Sequence, residues 1–356
     1  MATGKMSKTK NNVSKGEALS FDPKRVAAGL LLSLSPRSRQ IIKKRYGLES
    51  KQAMTLEAVG QIYGITRERV RQIEEFTLKA IKKEEVFGSA ATVFDELKAA
   101  IEAHGGIVHE REFLNYLTSD QTTQNNVHFL LVLGDAFTKL REDDYFHKRW
   151  TVNMSTADAV HQSLKNLSRK LSINDLLTEE EIIEQLVKNL HDSLGEEEAR
   201  THGVRWLRLS KNLGVSPVGE WGLAESPSVR VRGIRDYAFL VMRKHGSPMH
   251  FTEVAKAISE QFGRKANPAT SHNELIKDER FVLVGRGIYA LADWGYTRGV
   301  VRDVISELIK KYGEMSNDEI IAKVLKERYV KPNTIMVNLK NPRYFRESAD
   351  GHFSVA

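Results

Sequence analysis

Cysteine is absent from all 356 residues. That absence excludes disulfides, thiolate zinc sites and cysteine nucleophiles together. Long apolar runs are absent too, so no segment reads as a bilayer span. The opening stretch MATGKMSKTKNNVSKGE lacks the apolar core of a secretion signal. It is polar and basic, and residues 1–20 read as a disordered tail. A cytoplasmic protein with no membrane partner is the expectation. Catalytic signatures are equally scarce. There is no H-E-x-x-H and no G-x-x-x-x-G-K-[ST]. The G-x-G in VGRGIYAL has no third glycine and no helix after it, which argues against a dinucleotide site. His104, His109, His245, His250 and His272 are scattered around breaks and turns, so no metal site is expected. The acidic runs at 179–184 and 196–198 read as helix starts favoured by the helix dipole. Trp150, Trp206, Trp221 and Trp294 read as packing residues. No enzyme and no cofactor are expected.

What is present is charge, unevenly spread. The net charge is +8. Residues 1–86 hold 18 basic and 9 acidic residues, residues 87–228 hold 14 and 22, and residues 229–356 hold 22 and 15. A basic head and a basic tail flank an acidic middle. Basic modules suit phosphate backbones, and an acidic one is repelled by them.

The most informative stretch is TLEAVGQIYGITRERVRQIEEFTLKAIKK at 55–83. Thr55 is placed to cap a helix in which Leu56, Val59 and Ile62 recur at helical spacing. Gly64 breaks that helix, and Thr66 is placed to cap the next. Val70, Ile73, Leu78 and Ile81 form the buried stripe of the second helix. Its other face carries Glu68, Arg71, Gln72, Glu75, Lys79 and Lys82, with Arg67 and Arg69 in the first turn. Arg can donate two parallel hydrogen bonds to guanine, Gln can pair with adenine, and Glu can accept from cytosine. Lys79 and Lys82 sit where phosphates would pass. The alternative is a helical hairpin with a solvated charged face, which the two caps and the mixed readout residues disfavour.

Residues 35–83 closely resemble region 4 of sigma factors of the sigma-70 family. The carrying stretches are LSPRSRQIIKKRYGL and MTLEAVGQIYGITRERVRQIEEFTLKAIKK. The resemblance implies a helix-turn-helix that binds promoter −35 DNA and docks on the β flap of RNA polymerase. Carried over residue by residue, it implies that Arg67, Glu68, Arg71 and Gln72 face bases, while Thr66 and Arg69 support or contact the backbone. EEFT at 74–77 departs from the family, which usually has small residues there. Nothing resembles region 2, the part that opens the −10 element, and the residues before Phe21 are too few and too polar to form it.

Beyond residue 87 one pattern recurs four times: helix, glycine break, second helix, third helix, two strands around a turn. In the copy at 229–295 the helices are read at 229–244, 251–262 and 268–277. Strands follow at 281–284 and 288–291 around Gly285-Arg286-Gly287. In the copy at 298–356 they are read at 300–312, 317–328 and 332–339. There Ser316 and Glu319 form a capping box, and strands at 344–347 and 352–355 surround Asp350-Gly351. The copy at 90–152 breaks at Gly105-Gly106, with strands at 137–141 and 145–152. The copy at 157–225 is degenerate, with its third helix at 196–209. Short polar linkers are read at 153–156 and 226–228. Each copy has the outline of a winged helix. Through GSPMHFTEVAKAI and FVLVGRGIYALADW, the third also resembles the HARE-type helix-turn-helix domain known from the delta subunit of some bacterial RNA polymerases.

The fold expected is therefore mainly α with small β wings: a helix-turn-helix domain at 21–86, then about four tandem winged-helix modules. The net-negative copies are expected to face proteins. The last two are expected to approach phosphates through Arg264, Lys265, Lys277, Arg286, Lys331, Lys340 and Arg343. The function expected is a sigma factor-like transcription regulator of initiation that reads duplex DNA with the helix at 66–83. The rival is a polymerase-binding regulator, delta-like or competing with sigma, for which DNA contact is secondary. A defence or nuclease-associated role is a third reading, disfavoured by the lack of a metal-binding motif.

Overall fold

The structure is a computed structural model and describes residues 19–190 and 194–356. The tail expected at 1–20 falls, up to residue 18, outside those residues. The chain is mainly helical with short strands.

The head comprises α1 (Pro23–Leu30), α2 (Pro36–Tyr46), α3 (Leu56–Tyr63) and α4 (Arg67–Ile81). Asp22, Ser35, Thr55 and Thr66 cap them, each side chain accepting from a backbone N–H of the first turn. Proline opens α1 and α2, where its missing N–H is not needed. Ile62, which recurs at helical spacing with Leu56 and Val59, is 51% exposed. The buried side of α3 is centred on Val59, Gly60 and half-buried Tyr63, since a step of four residues stays closer to one line on a helix than a step of three.

After a short α5 (Glu85–Ser89) come α6 (Ala91–Glu102), β1 (Ile107–His109), α7 (Glu110–Leu117), α8 (Gln121–Leu133), β2 (Thr138–Leu140) and β3 (Arg149–Thr151). Next are α9 (Met154–Lys170), α10 (Glu179–Leu190), α11 (Glu196–Leu207), β4 (Leu213–Val215) and β5 (Trp221–Leu223). Residues 153–156, read as a linker, are instead the cap and first turn of α9. Asn153 accepts from the Thr156 N–H there.

The chain continues with α12 (Ile234–His245), β6 (Met249–His250), α13 (Phe251–Phe262), α14 (Pro268–Lys277), β7 (Phe281–Gly285) and β8 (Ile288–Leu291). It closes with α15 (Val301–Tyr312), β9 (Met315–Ser316), α16 (Asn317–Glu327), α17 (Pro332–Leu339), β10 (Phe345–Glu347) and β11 (His352–Val355).

Helix, strand, helix, helix, strand, strand thus occurs in α6–β3, α12–β8 and α15–β11. Each ends in an antiparallel three-stranded sheet whose middle strand is the last in sequence: β1-β3-β2, β6-β8-β7 and β10-β11-β9. The first strand of each sheet escaped the sequence reading. Two or three residues cannot display alternation, and the partner strand lies far along the chain. Trp150, Trp206 and Trp221 are buried.

Contacts gather the described residues into two compact units, those within 1–172 and 177–214, and those within 173–176 and 215–356. In the first unit the head and the segment after it share one core. Ala27, Leu30, Leu31, Tyr46, Leu48 and Ile81 belong to the same cluster as Val127, Phe129, Leu130, Leu131 and Leu133 of α8. Each fully buried side chain of this size contributes roughly 1.5–3 kcal/mol of transfer free energy, so this shared core is a major stabilising element. Two asparagines of α8 fasten the turn after α2. Asn125 donates to the Gly47 and Ser50 carbonyls at 3.0 and 3.1 Å, and buried Asn126 donates to the Leu48 carbonyl at 3.0 Å.

In the second unit, α12–β8 and α15–β11 each have their own core. They are joined backbone to backbone. The Tyr329 N–H donates to the Val284 carbonyl at 2.7 Å, and Gly285 of β7 bridges to Tyr329. A Cβ at Gly285 would lie 2.8 Å from the Tyr329 Cβ, so only glycine permits this approach. Among the described residues, no helix is long and apolar enough to cross a membrane, and no three His, Asp or Glu side chains are grouped to hold a metal.

Candidate nucleic-acid interface

The site is built on the angle between α3 and α4. Ile41, Val59 and Val70 form its small core, with Met54, Leu56, Tyr63, Ile65 and Ile73 around them. Gly64 adopts φ +63° at the end of α3, a conformation that side chains resist. Gly60 was not singled out in the sequence. A Cβ there would lie 2.5 Å from the Ile65 carbonyl oxygen, so the close crossing of α3 over the start of α4 requires glycine. Arg45 holds the pair from behind, donating to the Met54 carbonyl at 2.9 Å and to the Glu74 carboxylate at 3.3 Å. Burial, with the Glu74 carboxylate beside it, pushes the Tyr46 phenol well above its usual range, so it stays neutral.

Thr66, Arg67, Glu68, Arg69, Arg71, Gln72 and Lys79 are all exposed, on one helix and its cap. They form two local networks. Arg69 donates to the Gln72 side-chain oxygen at 3.1 Å. Arg71 is clasped by two carboxylates, donating to Glu68 at 3.0 and 2.7 Å and pairing with Glu75 one turn on. Hydrogen bonding from Arg71 holds the Glu68 carboxyl below the usual carboxylate range. Exposed pairs of this kind are screened by water and contribute little. The Arg71 guanidinium is therefore oriented by its neighbours, yet little holds it to them. Lys82 lies apart. It is half-buried and ion-paired with Asp135, in the loop after α8, so the C-terminal end of α4 meets an acidic neighbour.

Phe76, within the aberrant EEFT, is 75% exposed. It stands at a groove of about 700 Å³ between α2 and α4, lined also by Arg37, Ile41, Ile65, Arg69 and Ile73. Only the atypical residue types at 74–77 hinted at it in the sequence.

Residues 30–83 match sigma-70, region 4. The head is a sigma-factor-like helix-turn-helix. It is 46% identical over 54 residues to the RNA polymerase sigma factor SigA1 of Synechococcus elongatus and 49% identical over 53 residues to SigA of a Nostoc species. It is 48% identical over 54 residues to the principal sigma factor HrdD of Streptomyces coelicolor. Each alignment covers 15% of this chain and 14%, 14% and 16% of those proteins, respectively. The chain thus spans only a small part of the sigma factors it matches. Residues 234–294, the run α12–β8 with the turn after it, match the HARE-HTH family, the HTH domain named in part for ASXL and restriction endonucleases.

Proposed function

We propose that the chain is a non-enzymatic, DNA-binding transcription regulator acting in initiation, whose head reads promoter-type duplex DNA with the first two turns of α4. One observation carries the reading. The capped start of α4 exposes Arg67, Glu68, Arg69, Arg71 and Gln72 together, a set that offers partners to guanine, adenine and cytosine in the major groove. Lys79 meets phosphate about two turns beyond Gln72, and Lys82 does so only after leaving Asp135. The three helix–strand–helix–helix–strand–strand runs, with α9–β5 as a degenerate fourth, are tandem winged-helix modules that position the head or engage partners. Selection of bound sites from random duplexes by the full chain tests the reading. A defined motif should emerge and should vanish with Arg71→Ala/Gln72→Ala. Identical pools from parent and variant would refute it.

A second reading, docking on RNA polymerase at the β flap, is favoured by Phe76 and its groove, since an exposed aromatic beside a cleft that mixes Ile41, Ile65 and Ile73 with Arg37 and Arg69 suits a protein partner. Capture of the chain on core polymerase without DNA, with and without Phe76→Ser, tests it. Equal capture of both would remove Phe76 from the interface.

A further inference from the structure

We propose that α17 and the segments at its two ends form a second duplex-DNA surface, independent of α4. This part of the chain lies outside both family matches. Residues 328–346, RYVKPNTIMVNLKNPRYFR, contain Arg328, Lys331, Lys340, Arg343 and Arg346 and no acidic residue. Buried Arg328 serves the fold, while the other four are exposed and, among the described residues, form no ion pair. Glu327 and Glu347 bound the run, and between them the positive potential is concentrated along α17 and its two ends.

The helix inside the run has two distinct faces. Ile335 and Leu339 enter the core, and Asn333, Thr334 and Val337 are exposed on the other side. None of the three is charged. Asn can pair with adenine, and the methyls of Thr and Val suit the thymine methyl. Lys331 stands at the start of α17, and Lys340 and Arg343 follow its end, so cations bracket a neutral helix body. That is a groove-reading helix with phosphate contacts at both ends.

The launch of α17 is also fixed in place. Arg328 donates to the Thr297 and Gly299 carbonyls of the preceding linker, and Tyr329 is bonded to β7. A surface held this way loses little entropy on binding. The corresponding segment of the preceding run differs. Around α14 stand Glu274, Asp278 and Glu279, and Arg280 is tied to Asp236 and Asp278 at 2.8 and 2.7 Å. Those acidic residues offset most of the charge of Arg264, Lys265, Lys277 and Arg280, whereas the run around α17 has no acidic residue to do so. Duplex RNA is a poor occupant, because its deep, narrow major groove does not admit a helix.

The test uses the full chain carrying Arg71→Ala/Gln72→Ala, so that the head contributes little, and fluorescein-labelled A·T-rich and G·C-rich duplexes read by anisotropy across a salt series. Residual salt-dependent binding, tighter on the A·T-rich probe, is expected. Adding Lys331→Ala/Lys340→Ala/Arg343→Ala should weaken it by about tenfold or more and flatten the log–log salt slope by about 0.9 per lost phosphate contact. A charge-matched control, Lys310→Ala/Lys311→Ala/Lys326→Ala, should change little, and Lys331→Arg/Lys340→Arg should keep full binding. Circular dichroism checks that each variant is folded. Equal losses from the two triple variants, or no loss from the first, would overturn the proposal. So would unchanged DNA binding with lost capture on RNA polymerase, which would make the surface a protein site. Failure of the head's own site selection leaves this test untouched.

Discussion

The head and the last module offer helices of opposite electrostatic design. On α4 carboxylates alternate with guanidiniums, and Arg71 rests between Glu68 and Glu75. On α17 the exposed body is uncharged, and the cations lie beyond its ends. Carboxylates on a reading helix repel phosphate while accepting from cytosine, so they sacrifice affinity for discrimination. An acid-free surface does the reverse: most of its affinity comes from phosphate and is sensitive to salt, and only the neutral body of the helix discriminates among bases. The surroundings differ as well. Residues of α1, α2 and α4 share a core with α8, and an acidic residue meets the end of α4. The approach to α17 is a backbone seam with β7.

The change that should separate the two surfaces most is Gly60→Val. Its added carbons have no room against the Ile65 carbonyl, and overpacking here should cost about 3 kcal/mol. Urea unfolding should show the loss, and site selection through α4 should disappear while salt-dependent binding through α17 persists. Loss of both would mean that the surfaces are not independent.

Arg71→Ala comes next. It should cost roughly 1–3 kcal/mol on the selected site and relax preference at one position. Lys340→Ala should weaken all sequences alike and lower the salt slope by about one. Paired titrations on selected and scrambled duplexes would expose any failure of that contrast.

Acid should act on the first unit before the second. Burial pushes His128 and His161 down to about 4, and the charges of Lys139 and Arg149 add to this. Below about pH 6.5 the unfolded chain binds protons that these folded rings refuse, so stability falls as pH drops toward 4 and is fully present above that window. The loss should be on the order of 1 kcal/mol once solvent access is allowed for. Fluorescence of Trp150, which stacks edge-on with His128, reports it, and His128→Gln should shrink the pH dependence. An unfolding midpoint flat from pH 7 to about 4.5 would rule this out.

The smallest effect is expected from Asp135→Asn. Freeing Lys82 should steepen the salt slope by about one and tighten non-specific binding by less than about 1 kcal/mol. An unchanged slope would show that Lys82 never reaches phosphate.

Much of the candidate site was legible because local signals coincide there. Thr55, Gly64 and Thr66 mark cap, break and cap within twelve residues, and each acts on its immediate neighbours. The helices at 268–277 and 332–339 were equally readable, since proline opens each one. The spacing of Leu56, Val59 and Ile62 showed a helix but not its buried side, because three- and four-residue steps compete in so short a helix. Gly60 was passed over because its role depends on how closely a second helix approaches.

Linear order and side-chain chemistry by themselves determined that this is a helical, cysteine-free chain with a capped, charged helix at 67–81 and a recurring module after it. Caps, turns and periodicity act over a few residues, so they survive without a fold. Only the tertiary structure decided that α8 shares the head's core, that Lys82 is met by Asp135, that Phe76 stays in solvent, and that Arg328 and Tyr329 set the launch of α17. Those facts depend on side chains brought together from tens of residues apart, where no periodicity in the sequence records the contact.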